Sequence, residues 1–315
     1  MRSTDEIEDG NEVGNGADRT GASGWQRQRL PAWLKMPLAP GAGGHTTATA
    51  LKDRALHTIC EEARCPNRNH CWSRGTATFL VLGDRCTRSC PFCSVRGGPV
   101  GPPDEDEPLK VAEASLELGL QHVVVTSVNR DDLPDQGSGH FVRCIEEIRR
   151  LIPGVKVEVL TPDFRGRAID IDRVIDARPD VFNHNIETVP SLYIKTRPGA
   201  RYQRSLDLLA RVAAAAEATP DRDRMWVKSG LMLGLGEQQD EVRSLLEDLH
   251  RSGVRIVTIG QYLQPDPTSL PVEEYIHPEI FEMWREVGES IGFSMVFSAP
   301  FVRSSYMADA QVPLS

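Results

Sequence analysis

The sequence predicts an α/β fold built on a parallel β-sheet or barrel. Six apolar runs of four to seven residues have the length and composition of buried strands. Between and after these runs lie longer segments in which apolar residues recur every three or four positions, as on one face of a helix. Because alternating strands and helices are typical of parallel βαβ units, we expect helices to cover the sheet.

The predicted elements follow one another from residue 78 onward. The strand runs are residues 78–82, 122–126, 155–160, 181–184, 227–233 and 255–260. The helix patterns cover residues 108–118, 139–151, 204–217, 239–251 and 278–290. In barrels of this kind the chemistry lies beyond the C-terminal ends of the strands. Polar or cysteine-rich stretches follow several of the six runs, so we expect the site at that end.

Composition narrows the function classes. The chain has 315 residues, 40% of them hydrophobic, and no run approaches the roughly 18 apolar residues of a membrane span. The net charge of −9 argues against a nucleic-acid partner. The acidic N-terminus lacks the basic and apolar regions of a signal peptide. We therefore expect a cytoplasmic enzyme with neither a nucleic-acid nor a membrane partner.

Six of the seven cysteines form two groups of three. Cys86, Cys90 and Cys93 have the spacing C-x3-C-x2-C and follow the first strand run. The other group has the spacing C-x4-C-x5-C and comprises Cys60, Cys65 and Cys71. A zinc ion or a cubane iron–sulfur cluster takes four ligands, so each group is one short. A zinc site or a disulfide pair is the plainer alternative, but zinc favours paired C-x2-C motifs and disulfides favour secreted chains.

The segment Cys86–Cys93, with Phe92 just before the last cysteine, resembles the radical S-adenosylmethionine (radical SAM) superfamily. The resemblance implies a partial (β/α)6 barrel and a 4Fe-4S cluster with one iron open for SAM. Reduction of that cluster would cleave SAM to a 5′-deoxyadenosyl radical. Such a radical takes hydrogen from unactivated C–H bonds, a step that needs a cofactor.

Within that superfamily the chain is similar to the lipoyl synthase family. The similarity rests on the second cysteine group, on Arg303-Ser304-Ser305-Tyr306 near the C-terminus, and on further stretches. Those stretches cover residues 126–133, 158–164, 183–190, 228–237 and 260–265. The similarity to the family extends over about residues 26–310.

The resemblance implies a sulfurtransferase that inserts two sulfur atoms at C6 and C8 of an octanoyl chain on a protein lysine. Cys60, Cys65 and Cys71 would hold a second, auxiliary 4Fe-4S cluster that donates the sulfur, with Ser305 as its fourth ligand and Ser304 as the alternative. Two SAM would be used per product. The implied partners are 2-oxoacid dehydrogenase acyltransferase subunits and the glycine cleavage H protein, with ferredoxin or flavodoxin as electron donor.

Four segments follow from this interpretation. Residues 1–24 are expected to be a disordered acidic tail, and residues 25–75 an N-terminal extension with the auxiliary cysteines. Residues 76–295 are expected to form the partial barrel. Residues 296–315 are expected to return to the auxiliary cluster.

Four polar residues after strand runs are predicted to bind the cofactor. Asn129 and Arg130 follow the second run, where a loop-stabilising turn is the alternative role. Asn185 and Glu187 follow the fourth run, where Glu187 has the chemistry to accept hydrogen bonds from a ribose, and a salt bridge in the barrel mouth is the alternative.

Two other functions remain open from the residues alone. One is a sulfur-inserting enzyme that acts on a small molecule, such as a biotin precursor, or on tRNA, although the acidic charge weighs against RNA. The other is a non-catalytic iron–sulfur or zinc protein that senses redox state. Iron content and SAM cleavage discriminate among them.

Overall fold

A computed structural model describes residues 29–35, 43–74, 77–219 and 225–311. The predicted acidic tail, residues 1–24, lies outside these ranges. In chain order the strands are β1 (His57–Thr58), β2 (Thr78–Val81), β3 (Arg85–Cys86), β4 (Arg96–Gly97), β5 (His122–Ser127), β6 (Lys156–Leu160), β7 (Val181–Asn183), β8 (Trp226–Leu233), β9 (Ile256–Gln261) and β10 (Met295–Ser298).

Eight of these strands form one sheet in the order β1-β2-β5-β6-β7-β8-β9-β10. Every neighbouring pair from β2 to β10 is parallel, and β1 pairs antiparallel with β2. In the described part of the chain the sheet is open, with β1 and β10 at its two edges. Strands β3 and β4 pair separately, beyond the C-terminal end of β2.

Ten α-helices lie in the described ranges. They are α1 (Gly43–Asp53), α2 (Ile59–Glu62), α3 (Arg68–Ser73), α4 (Glu107–Glu117), α5 (Ser138–Leu151), α6 (Ala168–Asp176), α7 (Tyr193–Thr196), α8 (Tyr202–Glu217), α9 (Gln239–Arg251) and α10 (Pro278–Ile291). Each of α4, α5, α6, α8, α9 and α10 connects two neighbouring parallel strands. The six βα units of the predicted partial barrel are thus confirmed. None of the helices in the described ranges is long and apolar enough to cross a membrane.

Local sequence explains where the helices begin and end. Helix α9 begins with a capping box in which the side chains of Gln238 and Glu241 satisfy each other's backbone N–H groups. Helix α10 begins with Pro278, whose missing N–H costs nothing in the first turn. It ends at Gly292, which adopts φ +112° and so stops the helix without a steric penalty.

The core lies between the sheet and its helices. On α5, Phe141, Ile145 and Ile148 recur at helical spacing and are fully buried, as is Cys144 beside them. Burial of each such side chain contributes about 1.5–3 kcal/mol. Cys144, the seventh cysteine, therefore lies in the core.

The sequence analysis missed both edges of the sheet and one crossover helix. Strand β1 has only two residues, and β10 has four, of which one is buried. Helix α6 has nine residues and is the shortest of the crossover helices in the described ranges. The two edge strands are determined by pairing with other strands, which sequence periodicity does not report.

A buried ion pair crosses three strands of the sheet. Nζ of Lys228 on β8 lies 2.8 Å from Oε1 of Glu158 on β6, and both side chains are fully buried. Asn183 of β7, between them, donates from Nδ2 to the same carboxylate oxygen at 3.1 Å. His122 Nε2 lies 3.4 Å from the other oxygen. Burial opposes ionisation, yet the nearby Lys228 and His122 keep the pKa of Glu158 below its ordinary value.

Candidate active site

Cys86, Cys90 and Cys93, here called the loop cysteines, lie in the segment that follows β2. Backbone N–H groups of Arg88 and Asn129 each donate to Sγ of Cys86 at 3.4 Å. The N–H of Val95 donates to Sγ of Cys93, also at 3.4 Å. The N–H of Cys93 donates to the carbonyl of Cys90 at 3.0 Å, so the three cysteines lie in one short loop.

Arg88, inside the cysteine loop, holds the loop to the sheet. Its guanidinium donates from Nε and Nη2 to the two carboxylate oxygens of Asp131 at 2.7 and 2.8 Å, and from Nη2 to Asp163 at 2.8 Å. Arg204 donates to the other oxygen of Asp163 at 3.0 Å. Burial of Asp163 opposes ionisation, but the Arg88 bonds hold the pKa of this carboxyl well below its usual range. Paired charges of this kind fix loop geometry.

Asn185 and Glu187 lie together after β7, as predicted for the mouth of the barrel. Asn185 donates from Nδ2 to Oε1 of Glu187 at 3.1 Å. Glu187 adopts φ +72°, a conformation that costs energy for a residue other than glycine. Loss of water raises the pKa of the Glu187 carboxyl, although Arg197 opposes this. Glu187 also interacts electrostatically with Cys90 and Cys93, so this pair lies beside the loop cysteines.

Cys60, Cys65 and Cys71, here called the extension cysteines, line a cavity. Cys60 lies on α2, Cys71 on α3, and Cys65 between the two helices. Arg303 and Ser305 of the C-terminal segment line the same cavity, as do His122 and Val124 of β5. Burial raises the pKa of the Cys60 thiol to about 11. A ligand with positive charge would therefore be needed to hold it as a thiolate.

Hydrogen bonds join the C-terminal segment to the extension. Asn67 donates from Nδ2 to the carbonyl of Phe301 at 2.7 Å, across 234 residues of sequence. The ring of Tyr306 lies 5.7 Å from that of His70, centroid to centroid. The C-terminal segment is thus held against the helix that carries Cys71.

Two glycines make room for this segment. A Cβ on Gly260 of β9 would overlap the carbonyl oxygen of Val302 and lie 3.0 Å from Nη1 of Arg303. A Cβ on Gly230 of β8 would lie 2.9 Å from Oδ1 of Asn185 and 3.1 Å from Oγ of Ser304. Close backbone approach is the usual reason for glycine within a strand.

The donor chemistry at both places suits iron–sulfur clusters. Cys86, Cys90 and Cys93 lie in one short loop, and the extension cysteines line one cavity together with Ser305. Thiolates are the usual ligands of cluster iron. In the described ranges, no three or more His, Cys, Asp or Glu side chains are arranged to hold a single metal ion.

Comparison with known sequences shows to which family the chain belongs. The sequence model of the radical SAM superfamily matches residues 80–249, and that of the N-terminal domain of lipoyl synthase matches residues 6–65. Lipoyl synthase of Chlorobium limicola is 51% identical over 286 residues, which cover 90% of this chain and 95% of that protein. Lipoyl synthase of Histophilus somni is 48% identical, with 90% and 87% covered. The chain belongs to the lipoyl synthase family.

Solved structures agree on the fold of this family. The structure of Streptococcus suis SuiB bound to its precursor peptide SuiA has a TM-score of 0.54 at 9% identity. It matches over 81% of this chain and 52% of that one. SuiB bound to S-adenosylmethionine also gives 0.54, over 74% and 54% of the two chains. At such identities the likeness concerns the fold alone.

The two C-terminal serines point to different places. Ser305 lines the cavity of the extension cysteines. The Ser304 hydroxyl instead donates to Oδ1 of Asn185 at 2.8 Å, on the side of the loop cysteines. Of the two serines, Ser305 is thus the one that lines the cavity of the extension cysteines, and its role as a ligand stays a prediction.

Asn129 and Arg130, the other two residues predicted to bind the cofactor, differ in their contacts. The backbone of Asn129 contacts the cysteine loop, since its carbonyl accepts from N and Oγ1 of Thr87 at 3.1 and 2.9 Å. The buried guanidinium of Arg130 is engaged with the Asp132 carboxylate and with the carbonyls of Leu82 and Gly101. This arrangement favours loop stabilisation for Arg130, and its contact with a cofactor stays a prediction.

Sequence reasoning missed the charged residues that position the site. Arg88 and Asp163 lie in segments that the sequence analysis used and Arg197 lies outside them, but no local pattern shows the partners of any of the three. Arg88 and Asp163, for example, are 75 residues apart. A charged residue between two clustered cysteines is the signal that would have singled out Arg88.

Replacing Gly260 by Ala is expected to displace the C-terminal segment, because the added methyl overlaps the Val302 carbonyl. Overpacking of this kind costs about 1–3 kcal/mol. We expect a lower melting temperature and fewer irons bound after anaerobic reconstitution. Gly101→Ala is the matched control, since nothing lies within 4 Å of its added Cβ. Equal iron content in the two variants would contradict the role given to Gly260.

Proposed function

We propose that this chain is a lipoyl synthase that inserts two sulfur atoms, at C6 and C8, into an octanoyl chain carried on a lysine of a partner protein. Relatives with that name are 48–51% identical over 90% of the chain. The predicted carriers are lipoyl-bearing domains of 2-oxoacid dehydrogenases and the glycine cleavage H protein. An electron donor such as ferredoxin or flavodoxin is part of the same proposal.

The observation that best supports this function is the C-terminal segment, which connects the residues predicted to bind SAM with the extension cysteines. Ser304 donates to Asn185 at 2.8 Å, and Asn185 donates to Glu187 at 3.1 Å. The neighbouring Arg303 and Ser305 line the cavity of the extension cysteines. A carbon radical must be trapped before side reactions occur, so a sulfur donor close to the radical source is what the chemistry requires.

In this proposal the loop cysteines and the extension cysteines have different roles. When bound, two 4Fe-4S clusters and SAM would supply the electron, the 5′-deoxyadenosyl radical and the sulfur. The loop cysteines would hold the cluster that receives SAM, with Arg88 fixing their loop. The extension cysteines and Ser305 would hold the auxiliary cluster. Glu187, oriented by Asn185, would accept hydrogen bonds from polar groups of SAM.

The test is to incubate the anaerobically reconstituted protein with SAM, reductant and an octanoyl-lysine peptide, and to follow peptide mass. We expect two added sulfur atoms and about eight irons per chain before reaction. A peptide that gains no sulfur overturns the proposal. Sulfur on a biotin precursor or on tRNA in parallel reactions would establish one of the alternatives. Bound zinc together with an absence of SAM cleavage would instead support the non-catalytic redox-sensing protein.

Replacing Ser305 by Cys is expected to slow sulfur insertion while SAM cleavage continues. A thiolate holds cluster iron more firmly than an alkoxide oxygen does, so the iron that must leave stays bound. The Ser305→Ala variant removes the ligand altogether and should lower iron content. Both variants are compared by mass spectrometry of the peptide and by 5′-deoxyadenosine release. Wild-type insertion rates in both would show that Ser305 is not a functional ligand.

A further inference from the structure

The C-terminal segment touches both cysteine sites through two consecutive residues. Ser305 lines the cavity of the extension cysteines. Ser304 donates its hydroxyl to Oδ1 of Asn185, 119 residues earlier in the chain. The Cα atoms of consecutive residues are about 3.8 Å apart, so neither serine moves far without the other.

The contact of Ser304 orients a side chain beside the loop cysteines. An amide that accepts at its oxygen has its NH2 group turned the other way, and that group of Asn185 donates to Glu187 at 3.1 Å. Ser304, Asn185 and Glu187 therefore form one chain of hydrogen bonds. The half-buried Arg303 adds a second connection, since it interacts electrostatically with both Glu187 and Cys65.

Strand β8 packs against this chain of hydrogen bonds. A Cβ on Gly230 would lie 3.1 Å from Oγ of Ser304 and 2.9 Å from Oδ1 of Asn185, so these two atoms are packed directly on the β8 backbone. The isolated bridge between Glu187 and Leu231 ties the third member to the same strand. Because Ser304 supplies one of the donors, these hydrogen bonds depend on the position of the C-terminal segment.

We infer that Ser304 is a positioning residue that couples SAM affinity to the state of the extension-cysteine site. The inference rests on the proposed function for the identity of the two sites. While the auxiliary cluster is present, Ser305 holds the segment and Ser304 keeps Asn185 and Glu187 in the arrangement that receives SAM. Once that cluster has been consumed, the segment loosens and SAM binds more weakly. This would limit SAM cleavage by enzyme that has no sulfur left to transfer.

Equilibrium SAM binding tests the coupling. The dissociation constant for SAM is measured for reconstituted wild type and for a variant with Cys60, Cys65 and Cys71 all replaced by Ala, each with and without Ser304→Ala. We expect removal of the extension cysteines to weaken SAM binding about fivefold or more when Ser304 is present, the usual range of such couplings. With Ser304→Ala, both forms should bind SAM equally weakly.

Ser298→Ala is the matched control, because it deletes one hydroxyl donor, to the Phe281 carbonyl at 2.6 Å, away from Asn185. It should leave the fivefold effect intact. Equal SAM affinity with and without the extension cysteines in protein that retains Ser304 would overturn the inference. So would a fivefold effect that persists in Ser304→Ala.

Hydrogen exchange on unmutated protein gives a readout that no variant's folding affects. SAM should slow exchange of the amides in residues 300–306, and exchange unchanged by SAM would also overturn the inference. Sulfur insertion into the octanoyl peptide separates the two proposals. A protein that inserts sulfur but shows no coupling keeps the proposed function and loses only the role of Ser304.

Discussion

Replacing any one of Cys86, Cys90 or Cys93 by Ala is expected to reduce SAM cleavage to background. All three thiolates are needed to leave one iron open, and Cys86, Cys90 and Cys93 lie in one short loop. Replacing Cys60, Cys65 or Cys71 should instead stop sulfur insertion while cleavage continues at saturating SAM. Release of 5′-deoxyadenosine and the mass of the octanoyl peptide are measured on the same samples.

Cys144→Ala is the control for this series. Cys144 is fully buried on α5, away from both groups, so both activities should persist at temperatures below the melting point. If the loop cysteines and the extension cysteines gave the same pattern of loss, the proposed division between SAM cleavage and sulfur donation would be wrong.

Replacing Lys228 by Met is expected to lower the free energy of unfolding by about 3–5 kcal/mol. The change leaves the Glu158 carboxylate fully buried without its closest cation, 2.8 Å away in the native protein. His122 at 3.4 Å and Asn183 at 3.1 Å compensate in part. Urea unfolding followed by circular dichroism measures the effect.

Two further variants serve as controls for the Lys228→Met measurement. Arg150→Met removes a partner of an exposed ion pair with Glu147 and should change the free energy of unfolding by less than about 1 kcal/mol. Adding Glu158→Gln to Lys228→Met removes both buried charges and should recover a large part of the loss. A Lys228→Met protein as stable as Arg150→Met would show that Glu158 needs no cation inside the sheet.

The sequence predicted more of the candidate site than of the edges of the sheet. All six predicted strands are present, and the extension cysteines line one cavity, while the cluster-binding role of both cysteine groups stays a prediction. The sequence could suggest the first group because its three predicted ligands lie within eight residues, and such spacing is local. Strand β10 was missed because only one of its four residues is buried and its assignment depends on pairing with β9.

The sequence by itself determined the alternation of strands and helices and the kinds of ligands, since periodicity and ligand spacing are properties of short segments. Only the tertiary structure decided which groups meet. Ser304 and Ser305 are neighbours with the same chemistry, yet Ser304 reaches Asn185 across 119 residues and Ser305 reaches the extension cysteines. Lys228 and Glu158 likewise meet across 70 residues. Long-range contacts depend on how strands pair and how the C-terminal segment passes Gly230 and Gly260, which no local pattern records.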